Sequence, residues 1–334
     1  MKAVVLVGGF GTRLRPLTTD VPKQMLSVVG RPMIEHVLAG LRRHDITDAV
    51  LALGFQPDAF IDAYPDGNCA GVSLVYAVEP EPLDTAGAIR FAAAEADIAE
   101  RFVAVNGDVF TDLDLTELIA FHQRTGAEAS IALTPVDDPS RYGVVPTDGD
   151  GRVLGFIEKP PADEAPTNWI NAGSYVLEPS VLDRIASGRR VSIERETFPS
   201  LVDDGTLFAL GSDAYWVDAG TAATYIQVQL DLVNGRRPQR LAAVAADAAC
   251  DADAIVVDAV IGAAARVDSG ARVERSVIGA GAHVESGAIV VDSVVAAGAT
   301  IGRSASVEDF SIIGVGEKVD AGSTLREARV PDVG

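Results

Sequence analysis

Ala3-Val-Val-Leu-Val7 runs straight into Gly8-Gly9-Phe10-Gly11-Thr12-Arg13-Leu14-Arg15-Pro16-Leu17-Thr18, with Pro22-Lys23-Gln24 a few residues on. The apolar run reads as a buried strand, and the glycines at its carboxyl end read as a turn that exposes backbone N–H groups. Such turns cradle phosphates. Arg13 adds a rigid fork for two phosphate oxygens, and Lys23 adds a point charge. The segment is not a P-loop, because GxxxxGK(S/T) is absent, nor the dinucleotide fingerprint, because Thr-Arg-Leu follows Gly11 where a third glycine would come. A bare glycine turn can also be purely structural. Two cations just beyond it, in a chain whose lysines are Lys2, Lys23, Lys159 and Lys318, favour phosphate.

Outward from this turn, short apolar runs alternate with helical patterns. Ala49–Leu53, Val72–Tyr76, Phe102–Val105 and Ala129–Leu133 read as further buried strands. Between them Met33, Val37 and Leu41, then Ile89, Ala92, Ala93 and Ala96, then Leu115, Leu118, Ile119 and His122 recur at helical spacing. Asp114 and Glu117 form a candidate capping box for the last of these. The alternation argues a doubly wound, mostly parallel sheet that binds ligands at the carboxyl ends of its strands. Tyr142 to Ile157, centred on Asp148-Gly-Asp-Gly151, reads as a hairpin, and Ala222 to Val233 as a closing helix.

From Ile255 onward the composition shifts to small residues, Val and Ile. The chain repeats with a 17-residue period from Val256, Val273 and Val290, and the copy from Val307 is one residue longer because Phe310 is inserted. Within each period an apolar residue returns every five or six positions, as at Ile255, Ile261, Val267, Val273 and Ile278. This is a hexapeptide repeat, in which three sides make one triangular coil of a parallel β-helix. Its open ends need a cap or a partner.

The chain has 334 residues and a net charge of −21, which argues against partners that need a positive field, nucleic acid and anionic membranes. Cys69 and Cys250 are too few for a disulfide framework or a cysteine-rich zinc site, and read as free thiols of a reducing compartment. The first apolar run is too short for a signal-peptide core and none reaches a membrane span, so a cytoplasmic protein is expected.

Further motifs appear in order: Glu81-Pro-Leu-Asp-Thr-Ala-Gly87, Asn106-Gly-Asp108, Tyr142-Gly-Val-Val145, Glu158-Lys-Pro160, Asn171-Ala-Gly-Ser-Tyr175 and Trp216-Val-Asp-Ala-Gly-Thr221. With GGFGTRLRPLT and PKQ, this set resembles the nucleoside-diphosphate-sugar pyrophosphorylases, or sugar-1-phosphate nucleotidyltransferases, over almost the whole chain. The resemblance implies a Rossmann-like α/β nucleotidyltransferase domain at 1–234, a linker at 235–254 and a left-handed parallel β-helix at 255–334. It further implies that Val7, Gly8, Gly9, Gly11, Thr12, Arg13 and Lys23 meet the nucleotide, with Asp84, Thr85 and Gly87 near its base. Gly107, Asp108, Gly143, Glu158, Lys159 and Asn171 are implied to meet the sugar phosphate. Asp108, at the end of a strand where a carboxylate can hold Mg²⁺, and Asp218, beside another glycine turn, are implied by the resemblance to bind Mg²⁺ as a two-carboxylate site.

The chemistry implied needs no protein nucleophile, because a sugar-1-phosphate oxygen is already an anion that can attack the α-phosphorus and expel pyrophosphate. Arg13, Lys23 and Asp108 are the expected catalytic residues, acting by position and charge. No histidine is expected to catalyse; His283 stands alone in the repeats, without an acyl-CoA loop. The likeness is nearest to the branch that makes GDP-mannose from GTP and mannose 1-phosphate. Two residues depart from that branch: Gln24 follows the signature lysine, as in glucose-1-phosphate thymidylyltransferases, and Asp84 stands where glycine is usual. Asp84 can accept from the N1–H and amino group of guanine, or cap a helix. Thymidylyl or uridylyl transfer to glucose 1-phosphate, and a non-catalytic regulatory subunit that binds a nucleotide sugar, remain the other readings. The repeats are expected to carry homo-oligomer contacts.

Overall fold

The computed structural model describes residues 1–161 and 163–332, and these form two compact units. The first comprises Met1–Gly9 and Ile34–Trp216, and the second Phe10–Met33 and Val217–Gly334.

The first unit is built on a mixed sheet. Strand β1 (Lys2–Leu6) leads to helix α1 (Met33–Arg43), followed by β2 (Asp48–Leu53) and β3 (Val72–Val78). Helix α2 (Asp84–Glu95), β4 (Phe102–Asn106), α3 (Leu115–Thr125) and β5 (Ala129–Pro135) continue the alternation. Then come β6 (Trp169–Leu177) and β7 (Leu207–Gly211). β1 lies parallel between β2 and β4, and β3 extends the parallel set beyond β2. β6 runs antiparallel to β4 on one side and to β5 on the other, and β7 pairs parallel with β5. The five strands read from apolar runs are all present, each end within two residues of expectation. β6 escapes a period-based reading because its register with β5 shifts between Asn171 and Tyr175, where Gly173 takes φ 72° beside Asn106.

Burial explains the pattern. Val4, Ala104, Phe102, Ile131, Tyr175 and Leu177 form a buried core with Ile89 and Ala92 of α2 and with Phe198 and Leu201. Burying a large apolar side chain contributes about 1.5–3 kcal/mol. The small residues Ala86, Ala88, Ala92 and Ala93 leave α2 a narrow buried face. Asp114 caps α3 by accepting from the Thr116 and Glu117 N–H groups at 2.9 and 3.1 Å. In the 142–157 hairpin, Gly143–Val144 pairs antiparallel with Ile157–Glu158, and Asp148 Oδ1 accepts from the Asp150 and Arg152 N–H groups at the turn.

In the second unit, the segment after Phe10 holds two single 3₁₀ turns, Thr12–Leu14 and Lys23–Met25, and a short hairpin of Ser27–Val28 with Arg31–Pro32. Helix α4 (Ala222–Val233) starts at a capping box in which Thr221 and Thr224 bond each other's backbone N–H at 3.2 and 3.1 Å. The remainder is a parallel β-helix of three five-stranded sheets. Val277 pairs with Val294, and Val294 with Ile312, so the step is 17 residues before Phe310 and 18 across it. Ile261, Ile278, Val295 and Ile313 stack inside one corner, and Val273, Val290 and Val307 inside another, all buried. The extra residue is absorbed in a turn, where Asp309 and Phe310 both take left-handed φ and Phe310 stays 44% exposed. Pairing begins inside the stretch 235–254, where Ala249–Cys250 already aligns with Arg266–Val267. No helix among the described residues is long and apolar enough to cross a membrane.

Candidate active site

The glycine turn at the end of β1 is open: a side chain on Gly8 or Gly9 would meet nothing within 4 Å, and Gly9 takes φ 100°. Val7, just before it, is buried. Gly11 differs, because it has φ 57° and a Cβ there would stand 3.0 Å from Thr18 Cγ2 and 3.3 Å from Lys23 Cβ. Only glycine allows this close approach, which the Thr18 hydroxyl locks by donating to Gly11 O at 2.8 Å. Leu14 is fully buried and anchors the 3₁₀ turn, while Thr12 is exposed and the Arg13 side chain 64% exposed.

Arg13 Nη2 stands 4.0 Å from Asp218 Oδ2. A Cβ on Gly220 would come within 2.5 Å of Arg13 Nη2 and 2.9 Å of Asp218 Oδ1, so that glycine clears room for both. The second unit therefore gathers Arg13 and Asp218 with Lys23 on the same loop system. Gln24, the residue after Lys23, is buried, and its Oε1 has no hydrogen-bond partner.

In the first unit, Gly107 is packed so tightly that a Cβ would lie 2.6 Å from Val7 Cγ1, and its N–H donates to Leu6 O at 2.8 Å. This holds half-buried Asp108 at the carboxyl end of β4, the position at which a metal ligand is expected. Asp84 opens α2 with φ 62°, exposed, its Oδ1 accepting from the Thr85 N–H at 2.8 Å. The left-handed φ explains why glycine suits this position, and a local side-chain hydrogen bond is how Asp tolerates it. Leu83, not Asp84, occupies the N-cap position of the helix. Thr85 is tied inward: its hydroxyl donates to Glu194 Oε2 and accepts from the Ile193 N–H, each at 2.8 Å. Gly87 is buried against Arg189 O and Leu83, where a Cβ would meet atoms at 2.7 and 2.9 Å.

A second polar group in this unit holds the remaining residues. A Cβ on Gly143 would lie 2.6 Å from the Phe156 ring and 3.1 Å from Glu158 Oε2. Lys159 Nζ stands 3.2 Å from Glu158 Oε1, with the lysine 59% exposed and its N–H donating to Tyr142 O. Asn171 donates from Nδ2 to the Tyr175 hydroxyl at 2.8 Å and accepts from the Gly173 N–H at 2.9 Å. Burial first, and the Glu194 carboxylate second, push the Tyr175 phenol far above its usual range, so it is a neutral hydroxyl. Trp216 Nε1 donates to Ala172 O, and its ring meets Tyr142 edge-on at 5.6 Å.

Glu194 and Tyr175 carry no role in a reading of local pattern. Glu194 lies in a π-helical turn, Ile193–Thr197, and reaches Thr85 across 109 residues, a link with no periodic signature. His283 Nε2 lies 2.8 Å from Asp268 Oδ2 on the β-helix.

Known proteins resemble this chain over most of its length. A nucleotidyl transferase family model matches residues 2–235, and a GMPPB C-terminal domain model matches residues 240–332. The mannose-1-phosphate guanylyltransferase of Mycobacterium tuberculosis is 42% identical over 240 residues, 71% of this chain and 66% of its own. Mannose-1-phosphate guanylyltransferase 1 of Arabidopsis thaliana is 40% identical over 248 residues, 72% and 68%. The chain thus spans about two thirds of the length of these relatives. Among solved structures, HddC from Yersinia pseudotuberculosis complexed with GMP-PN is similar at a TM-score of 0.59 and 29% identity, covering 68% of this chain and 97% of that one. The matched span takes in the glycine turn, both candidate aspartates and the sugar-side motifs, and the chain belongs to the nucleotidyl transferase family as a sugar-1-phosphate nucleotidyltransferase.

Proposed function

We propose that the chain joins GTP and mannose 1-phosphate to give GDP-mannose and pyrophosphate. The observation that carries this reading is the cation-bearing loop, in which Gly11, Thr18 and Lys23 close on one another and leave Arg13 exposed. The names of the relatives at about 40% identity supply the base and the sugar. On this reading the N–H groups from Gly8 to Thr12 receive the triphosphate after Val7, and Arg13 and Lys23 neutralise it and the departing pyrophosphate. Asp84 accepts from guanine, with Thr85 and Gly87 shaping the base loop. Lys159, with Gly107 and Asp108 alongside, orients the sugar phosphate, while Glu158, Asn171 and Gly143 receive the sugar hydroxyls. The phosphate oxygen of the sugar attacks the α-phosphorus in line, so the protein holds and neutralises rather than exchanging protons.

Asp108 and Asp218 are the proposed ligands of Mg²⁺. The donor chemistry fits, since both are hard carboxylate oxygens, and Mg²⁺ on a nucleotide takes one or two carboxylates and fills its shell with phosphates and water. No group of three or more His, Cys, Asp or Glu suited to a metal occurs among the described residues. When bound, the ion supplies charge neutralisation and alignment of the reacting phosphates.

Two further parts belong to this reading: a cytoplasmic enzyme, and homo-oligomer contacts through the β-helix. Exposed Ile255, Val257 and Ile289 on one sheet of that helix support the second, and light scattering tests it. Pyrophosphate release with Mg²⁺, running GTP, dTTP, UTP, ATP and CTP each against mannose 1-phosphate and glucose 1-phosphate, tests the function. Preference for GTP with mannose 1-phosphate is the expected result. Preference for dTTP or UTP with glucose 1-phosphate, the reading that Gln24 favours, overturns the specificity. Silence with every pair returns the regulatory-subunit reading.

A further inference from the structure

One column of corners in the β-helix holds Gly262, Gly279, Ala296 and Gly314, each following a strand of the same sheet. A Cβ at Gly262 would meet the next coil's backbone, with Ala280 N at 2.7 Å and Gly279 C at 2.9 Å. At Gly279 it would meet Ala297 N at 2.6 Å and Ala296 C at 2.7 Å. Gly314 is different. Its nearest atoms would be Val330 O at 2.9 Å, Pro331 Cδ at 3.2 Å and, from the signature loop, Pro16 Cγ at 3.1 Å. Pro16 is buried and lies three residues after Arg13.

The loop is therefore mounted at two points inside one compact unit. Pro16 stands on the last coil of the β-helix, and the Ser27–Val29 end is tied to α4. There the Tyr225 hydroxyl donates to Ser27 O, and Gln229 Oε1 accepts from the Val29 N–H at 3.1 Å. Arg13 and Lys23 lie on the stretch governed by these mounts. A proline ring is stiff, so pressure on Pro16 passes to the backbone rather than into a rotamer change.

We propose that the last coil of the β-helix positions the phosphate-binding loop, with Gly314 and Pro331 as positioning residues acting through Pro16. This rests on Arg13 and Lys23 meeting the nucleotide phosphates. Phosphoryl transfer depends on alignment, and a displacement of about 1 Å by a distant substitution costs up to roughly a hundredfold in rate.

The test compares full-length Gly314→Val with Gly279→Val, in which the added side chain meets only β-helix backbone. Initial rates of pyrophosphate release are measured against each substrate, together with Tm. Gly314→Val is expected to lower kcat/KM for GTP at least about tenfold, with KM for mannose 1-phosphate within about twofold of wild type. Gly279→Val is expected to stay within about twofold on both, whatever its Tm. Adding Pro16→Ala to Gly314→Val should raise kcat/KM above that of Gly314→Val, because the pressing atom is gone. Equal losses in the two glycine variants, or none at Gly314→Val, overturn the proposal. Should Gly314→Val not fold, Pro331→Ala at an exposed corner decides: a fall in kcat/KM for GTP of about threefold or more supports the mount, and a wild-type value overturns it. A wild-type protein that releases no pyrophosphate overturns the functional reading as well, whereas an active one with an indifferent Gly314→Val overturns this inference alone.

Discussion

Replacing Gly107 by Ala separates packing from chemistry at Asp108. The methyl carbon would sit 2.6 Å from Val7 Cγ1, 2.9 Å from Leu6 O and 3.3 Å from Val5 Cγ1. Carbon atoms in contact settle near about 3.5–4.0 Å, so roughly 1 Å of clearance must be found. Val5 and Val7 are 0% and 1% exposed and have nowhere to swing, and Leu6 O already accepts the Gly107 N–H. The displacement therefore falls on the turn that carries Asp108. Overpacking of this kind costs about 1–3 kcal/mol, or about 2–4 °C in Tm per kcal/mol for a unit this size. A carboxylate moved by about 1 Å in an aligned phosphoryl transfer loses roughly a hundredfold in rate. Pyrophosphate release well below Tm, corrected for the folded fraction, measures the second effect, and a thermal melt the first. Unchanged Tm would refute the packing argument. A lowered Tm with wild-type turnover per folded molecule would refute the role of Asp108.

Lys23→Ala and Asp108→Asn should each cut turnover by at least about a hundredfold without a matching loss of stability, and near-wild-type rates in either would remove the mechanism. Asp84→Asn keeps the side chain that tolerates the left-handed backbone but loses the carboxylate. It should lower the kcat/KM ratio of GTP over ATP by about tenfold or more, and an unchanged ratio assigns guanine selection elsewhere. Acid stability tests His122, which is 1% exposed, contacts Ser130 Oγ at 2.9 Å and Glu178 Oε1 at 3.2 Å, and has its pKa held below 6.5 by burial. The native state binds this proton less readily than the unfolded chain, so stability is full above pH 6.5 and falls on acidification below it. Urea midpoints at pH 7.5 and about 5.5 should differ more for wild type than for His122→Gln; identical differences would show that this imidazole is not the titrating group.

The sequence was legible where a residue's neighbours are close in the chain or repeat with a period. The strands from Ala3, Ala49, Val72, Phe102 and Ala129 announce themselves as apolar runs, and the β-helix announces itself by its period, even to the extra Phe310. Asp114 is readable as a helix start because a cap is local chemistry. β6 was not, because its regular alternation is broken at Gly173, and the break exists to admit Asn106 from another strand. The link from Glu194 to Thr85 is equally invisible: the two lie 109 residues apart, and the π-turn that aims Glu194 has no apolar periodicity of its own.

The signature loop shows the same division within a single motif. Gly11, Arg13 and Lys23 are recognisable because phosphate chemistry restricts residue type: a backbone that must take φ 57° against Thr18, and cations where a polyanion must rest. Pro16 belongs to the same motif, yet the phosphate gives no chemical reason for it. Its partners Gly314 and Pro331 lie some three hundred residues downstream in a fold built on a different period. Ligand contacts constrain the kind of atom presented, whereas a mount constrains only shape, and shape can be met by any residue that fits. The two glycine variants separate these constraints, since both add bulk to one column of corners and only Gly314→Val presses on the loop that holds Arg13.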